Sequence, residues 1–384
     1  MVLHALDLVH EHSCMSSPRS FFGFGDWAPV TDTTGGALYE AAQCVEEEER
    51  SWYQHYYSDN CNGEQIPEIR RRALQNVAFK VAAAPFHMWT PDVYEGAPSS
   101  TTGLMAVAVK TAAFGALARL VLTCFDVDIL RDGPMGWETL VAVLAVLSMF
   151  GGNLMALGQT NLKRMLAYSA IAHTGYMLVA LVAQPEQGLS GGLLFYLLAY
   201  TLANAAAFGV AAALSGKNRE DISDGSYQGL ARKHPGLAFI LTLAMLSLLG
   251  IPATAGFIGK FGVFSDAVGA DGGDHLWLVI VAMVNSVISA YYYIRVIVVA
   301  YMREEDEPAQ VIRSGALSWS LGIATLGTLV LGLLPNASLK MGDEAGQSLT
   351  RSAKTRHVKA EAPAKPASPI KVSGQAAPRV AKQP

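Results

Sequence analysis

Residues 246–264 read LSLLGIPATAGFIGKFGVF. The stretch is apolar enough for a bilayer, yet it carries features that an uninterrupted membrane helix avoids. Gly250 and Pro252 stand close together, Gly256 and Gly259 follow, and Lys260 lies in an otherwise apolar second half. Proline offers no backbone N–H and its ring clashes with the preceding turn, so this spacing predicts two half-helices separated by a break. A break frees carbonyls and amides that hydrocarbon cannot satisfy, and it persists only beside protein or a wet cavity. A lysine beside such a break reads as part of an ion path. A kinked helix whose lysine snorkels to an interface is the plainer alternative, and the stretch by itself leaves both open.

Working outward, further apolar runs of spanning length, roughly 20 residues each, fall at 99–124, 137–158, 162–183, 189–214, 235–265, 274–302 and 314–334, with a weaker one at 73–90. In lipid the backbone must satisfy its own hydrogen bonds, so these runs should be α-helices. A closed barrel would need alternating strands, and no such alternation is visible. The expected fold is all-α: a polytopic transmembrane helix bundle of about eight helices, two of them broken, near Pro85 and near Gly250–Pro252. Apolar residues make up 51% and charged residues 16% of the 384, which is a membrane balance. Three zones follow: a polar, atypical segment at 1–75, a transmembrane domain at 76–334, and a Lys/Ala/Pro-rich tail at 335–384 that should be disordered. The opening MVLHALDLVHEHSC has no basic start and does not read as a signal peptide.

Composition also removes function classes. The net charge of −4 gives no basic footprint, so no nucleic-acid partner is expected. Cys14, Cys44, Cys61 and Cys124 form no C-x-x-C pair, which argues against a zinc site or an iron–sulfur cluster on this chain. No phosphate-binding Gly-Lys-Ser/Thr loop is present, and Gly23-x-Gly25-x-x-Ala28 lacks a preceding strand and runs into Pro29. The acidic run Glu46–Glu49 reads as a solvated face. Lys163, Arg164, Lys217, Arg219, Arg232, Lys233, Arg303 and Arg313 cluster in alternate loops, which places those loops in the cytoplasm and the C-terminus outside. The Arg70–Arg72 triplet conflicts with that orientation.

Ionisable groups inside the spans are where function should be sought, because a charge there is costly. Lys110 sits mid-helix in GLMAVAVKTAAFGALARL, more than two turns from a polar flank. It is a proton-path candidate, with a structural lysine bonded to a neighbouring carbonyl as the alternative. Lys80, in NVAFKVAAAPFH, precedes Pro85 and makes a second lysine-bearing interrupted segment, as Lys260 makes the first. His173, in AYSAIAHTGYML, could relay protons near neutral pH or simply bond a neighbouring helix. His87, beside Trp89 and Asp92 at a helix end, reads as interfacial. A chain of intramembrane lysines in broken helices, with no cofactor site, describes a proton or cation conduit. If Lys110 and Lys260 share one polar axis, both should face the interior near groups such as His173 or Asn204.

The run KVAAAPFHMWTPDVYEGAP at 80–98 closely resembles the signature of the N subunit family of NADH-quinone oxidoreductase, respiratory complex I. The resemblance continues through GNLMALGQTNLKRMLAYSAIAHTGYMLVAL at 152–181, MLSLLGIPATAGFIGKF at 245–261 and SAYYYIRV at 289–296, covering about 260 of the 384 residues. It implies an antiporter-like membrane-arm subunit in the cell inner (plasma) membrane, packed against other membrane-arm subunits and lipid. It implies no cofactor on this chain, with quinone, NADH, FMN and iron–sulfur clusters handled elsewhere in the complex, a proton-translocating NADH:quinone oxidoreductase. By motif, Lys80 matches the family's lysine in the first broken helix, Lys110 the connecting lysine, and Lys260 the lysine of the second broken helix.

The resemblance also implies several apolar helices ahead of the first broken one, carrying a glutamate that pairs with the position of Lys80. Residues 1–75 show no such helices, so a chain lacking the N-terminal helices is expected, with Lys80 water-accessible and without a carboxylate from that segment. Two alternatives stand beside the complex I reading: a subunit of a Na⁺/H⁺ antiporter, and a non-transporting truncated scaffold.

Overall fold

The computed structural model describes residues 75–124, 137–183, 190–215, 222–269, 275–303, 311–312 and 314–361. These residues are predominantly helical. α1 (75–80) leads through a non-helical stretch to α2 (Trp89–Gly96). α3 (99–124) comprises Ser99–Leu104, a π-helical turn Met105–Val109 and Lys110–Cys124. Then come α4 (Trp137–Leu157), α5 (Leu162–Val182), α6 (Gly191–Leu214), α7 (Pro235–Leu249), α8 (Ala255–Gly269), α9 (Leu276–Met302), α10 (Gly315–Leu333) and α11 (Asn336–Glu361). Among the described residues six helices are long and apolar enough to cross a membrane: the α3 segment Ser99–Val121, α4, α5, α6, α9 and α10. α7 and α8 are the two halves of the run quoted first.

α5 is the axis of the bundle. It is apolar all round, the pattern of a helix enclosed by others, and every residue from Met165 to Val182 is buried. α2, α4, α6, α8 and α9 pack around it. The outer helices keep a lipid-type face: Met283 and Val287 on α9, and Trp319, Ile323 and Leu326 on α10, are all exposed. A hydrocarbon solvent makes such a surface normal.

Both expected breaks are present, and each is held by neighbouring helices. At the first, Ala82 takes a left-handed φ of 59°. The freed carbonyl of Val81 accepts from Thr174 Oγ1 of α5 at 2.8 Å, and the amide of Ala84 donates to Ser148 Oγ of α4 at 2.8 Å. At the second, α7 ends on Gly250 at φ 89°, a conformation that glycine reaches without a Cβ penalty. Gly250 N and Ile251 N both donate to Leu246 O, closing the last turn. α8 restarts at Ala255, where Gly256 lies so close to α7 that a Cβ would collide with the Ser247 carbonyl oxygen. A side chain at position 256 would force the two half-helices apart.

One end of the bundle is tied by loop contacts. Leu162 N donates to Ile222 O and Asp224 N to Thr160 O, and Asn161 bridges Ser223. Arg295 of α9 donates to Gln159 O at 3.0 Å and pairs with Asp224 at 2.5 Å, while Ile312 N donates to Ala213 O. The connections after α4, α6 and α9 therefore share one face, the face on which the sequence places the basic loops.

The described part of the tail, up to residue 361, differs from expectation. Disorder was expected from 335, but Asn336–Glu361 is helical. Its Ala, Lys, Arg and Glu content is low in hydrophobicity and high in helix propensity, and its first turns find partners: Leu339 packs on Phe195, Ala199 and Ala255, and Asp343 lies against Gly191 at the start of α6. Glu46–Glu49, the Arg70–Arg72 triplet and the expectation of a carboxylate-free Lys80 environment fall on 1–74 and lie outside the described residues.

Candidate functional site

α5 presents His173 at the centre of the bundle, 2% exposed, and two buried lysines approach it, each through a tyrosine ring. Lys110 follows the π-turn of α3 and is 3% exposed; Lys260 stands on α8 and is 5% exposed. The expectation that both face the interior near His173 describes their placement. Lys110 Nζ donates to the Ala170 carbonyl of α5, an oxygen that also accepts from Thr174 Oγ1 at 3.1 Å. The alternative contact weighed for it, a neighbouring carbonyl, is therefore real and coexists with the central position. Lys260 Nζ donates to Leu249 O at 2.9 Å and to Ser286 Oγ of α9 at 3.2 Å. Leu249 is the last residue of α7, so the break supplies the oxygen. An interrupted helix exposes C-terminal carbonyls carrying the negative end of its dipole, and a cation is favoured there.

Aromatic faces join the three groups. Lys110 Nζ lies over the Tyr200 ring at 5.4 Å, and that ring is 5.2 Å from His173. On the far side the His173 and Tyr176 rings are 5.7 Å apart, and Lys260 Nζ lies over Tyr176 at 4.8 Å. The order Lys110–Tyr200–His173–Tyr176–Lys260 is thus an unbroken line of contacts across the middle of the bundle. Cation–π contact substitutes in part for lost hydration.

Hydroxyls surround the imidazole. His173 Nδ1 is 2.6 Å from Tyr196 Oη and Nε2 is 3.0 Å from Tyr293 Oη, which in turn is 2.5 Å from Ser169 Oγ. A second polar cluster lies beside Tyr176. Asn153 of α4 donates to Tyr176 Oη and to Asn285 Oδ1, each at 3.2 Å, and accepts from Tyr292 Oη at 2.9 Å. Every one of these side chains is both buried and hydroxyl- or amide-bearing, the composition of a hydrogen-bonded relay.

The other candidates lie elsewhere. Lys80 ends α1 and is exposed, unlike the two central lysines. His87 is half-buried in the turn before α2. The signature loop around it is fastened to α5 by Arg164, which reaches Glu95 at 2.5 Å and Asp92 at 3.2 Å, and by Lys163 Nζ on Ala97 O at 2.8 Å. Sequence reasoning missed Tyr176, Tyr196, Tyr200, Tyr293, Asn153 and Ser286. One signal was available: Tyr196, Tyr200 and Asn204 recur every fourth residue, which puts them on one face of α6.

A polytopic bundle with two interrupted helices and lysines buried along its midline is an antiporter-like transmembrane domain. The chain belongs to the NADH:quinone oxidoreductase/Mrp antiporter transmembrane family, whose model matches residues 73–289, more than half of its length. NADH-quinone oxidoreductase subunit N 1 of Sorangium cellulosum is 44% identical over 272 residues, 69% of this chain and 53% of that protein. Subunit N of Salinibacter ruber is 48% identical over 257 residues, 66% of this chain and 49% of that protein. The chain thus spans about half the length of the curated relatives it matches. Among solved structures, a chain of respiratory complex I from Thermus thermophilus with bound aureothin aligns at a TM-score of 0.60 and 39% identity, covering 71% of this chain and 58% of that one. A chain of the Mrp complex from Dietzia sp. DQ12-45-1b aligns at a TM-score of 0.65 with 21% identity over 76% of this chain and 60% of that one, a likeness of fold alone.

Proposed function

We propose that this chain is a membrane-arm subunit of a proton-translocating NADH-quinone oxidoreductase in the inner (plasma) membrane. Protons move through its buried lysines, and NADH oxidation and quinone reduction, with their FMN and iron–sulfur clusters, take place on other subunits. The line of contacts from Lys110 through His173 to Lys260 carries this reading. A buried amine loads and releases a proton at low cost when its charged and neutral forms are close in energy, and a charge on one lysine disfavours a charge on the next. His173, flanked by the Tyr196 and Tyr293 hydroxyls, can accept on one ring nitrogen while donating from the other. Lys80 at the exposed end of α1 is the proposed outer member of the path, and its charge acts on Lys110 through the first break. The 60-odd per cent of this chain that matches subunit N at over 40% identity supports membrane-arm partners over an independent antiporter.

Purification tests the assignment. An affinity tag on this chain, pulled from detergent-solubilised native membranes, should bring down NADH-oxidising, quinone-reducing activity. Recovery of the chain with cation/proton antiporter subunits and no NADH oxidation would overturn it.

A further inference from the structure

On the basic-loop face a cavity of about 470 Å³ opens between the end of α6 and the starts of α7 and α10. Its polar lining is Lys233 and His234 ahead of α7, with Ser314 and Ser318 at the start of α10. Deeper in, the lining is apolar: Leu237 of α7, and Leu317 and Leu321 on successive turns of α10. No Asp or Glu stands among the described residues that line it. Ile312 ties the walls together, its amide donating to Ala213 O in the last turn of α6 at 2.8 Å.

Two helix starts add positive potential to that of the lysine. His234 caps α7 without a side-chain hydrogen bond, Pro235 has no N–H, and the first intrahelical bond runs from Ala238 N to His234 O. The amides of Gly236 and Leu237 therefore precede the ladder. In α10 the Ser314 hydroxyl takes Leu317 N, and the amides of Gly315 and Ala316 precede the bond from Ser318 N to Ser314 O. An ammonium together with the positive ends of two helices, 15 and 19 residues long, suits an anion. The leucine-lined depth does not suit a free one, which would shed its water against hydrocarbon. Phe239 and Trp319 are exposed one turn further along α7 and α10. Large apolar side chains facing outward at that level put the hydrocarbon boundary just inside the mouth of the cavity.

We infer that this cavity binds the phosphodiester head of an anionic glycerophospholipid. Lys233 and the amides at the starts of α7 and α10 hold the phosphate, and an acyl chain lies along Leu317 and Leu321. Basic pockets between membrane helices on the cytoplasmic side take acidic lipid heads by this combination of charge and depth. A zwitterionic head is disfavoured, because its own ammonium would meet Lys233. Seated there, the lipid ties the start of α7 to α10. The inference does not depend on what the chain transports.

The assembled complex, purified from native membranes with its own lipid, provides the test. A map should show phosphate density within hydrogen-bonding distance of Lys233 Nζ and acyl density against Leu317 and Leu321. An empty cavity, or one filled by side chains of a partner subunit, would overturn the inference. Binding is read with a phosphatidylglycerol carrying a photoreactive diazirine in its acyl chain, and the label should appear on the peptide that contains Leu317 and Leu321. Unlabelled phosphatidylglycerol should suppress that label, whereas phosphatidylcholine with the same chains and inorganic phosphate should not. Suppression by phosphatidylcholine would mean lipid contact without head-group recognition, and suppression by phosphate a site for free anions; either result sinks the proposal. Lys233→Gln and Ser318→Asp should each lower labelling of this peptide by about tenfold, with labelling elsewhere on the complex unchanged. Undiminished labelling in either variant would count against it. Where a variant fails to assemble, the competition on the unaltered complex decides.

Discussion

Lys110 keeps its amine inside the bundle by exchanging water for a backbone carbonyl and the face of a tyrosine. Such a substitution is incomplete, and a buried charge costs several kcal/mol even when well contacted. A residue retained at that cost for stability alone would be a poor bargain. Lys110→Met fills the same space without the charge, so thermal unfolding of the assembled protein should be unchanged or move upward by a degree-scale shift, worth on the order of 1 kcal/mol. A marked fall in the unfolding temperature would show that the lysine is chiefly structural. At this scale the sequence revealed the cations but not their partners. A lysine in a long apolar run is visible wherever it falls; that Ala170 O, Leu249 O and Ser286 Oγ receive the two amines depends on how three helices rotate against each other. Asn153 was invisible for the same reason, since one amide in an apolar helix gives no sign that it will meet Tyr176, Tyr292 and Asn285.

The interrupted helices were the most legible elements, because Pro85, Gly250 and Pro252 act through local backbone chemistry. Their repair was less legible. Ser148 and Thr174, which satisfy the first break, stand on helices more than sixty residues away in sequence. The second break depends on two glycines in different ways, and substitution separates them. Gly250→Ala strains the left-handed backbone, at about 1–2 kcal/mol, and brings a methyl to 3.1 Å from Cδ of Lys260, a flexible stem that can give way. Gly256→Ala drives a methyl into the Ser247 carbonyl, which cannot move without unseating α7. Membrane accumulation and unfolding temperature should therefore drop modestly for the first and severely for the second. Equal effects would mean that the close approach of α7 to α8 is not what holds Lys260 at Leu249. The first part of the tail departs from expectation at this same scale: a few apolar contacts around Leu339 anchor the first turns of Asn336–Glu361 against α6 and α8.

For the molecule as a whole, the bundle places one fully enclosed helix, α5, inside others that each keep an outward apolar face. That arrangement encloses His173 among helices and lets lysines approach it from α3 and α8. The order of the spans was readable from apolar run lengths; among the described residues six helices have spanning length, and the run at 235–265 is divided between α7 and α8. The choice of α5 as the axis was readable only weakly, from its lack of any polar face. The most direct test of the account is the number of protons taken up per NADH oxidised in inverted membrane vesicles containing the complex with Lys110→Met. NADH oxidation should continue while proton uptake per electron falls clearly below that of the unaltered complex. Undiminished proton uptake per electron, with the variant chain fully assembled, would contradict it.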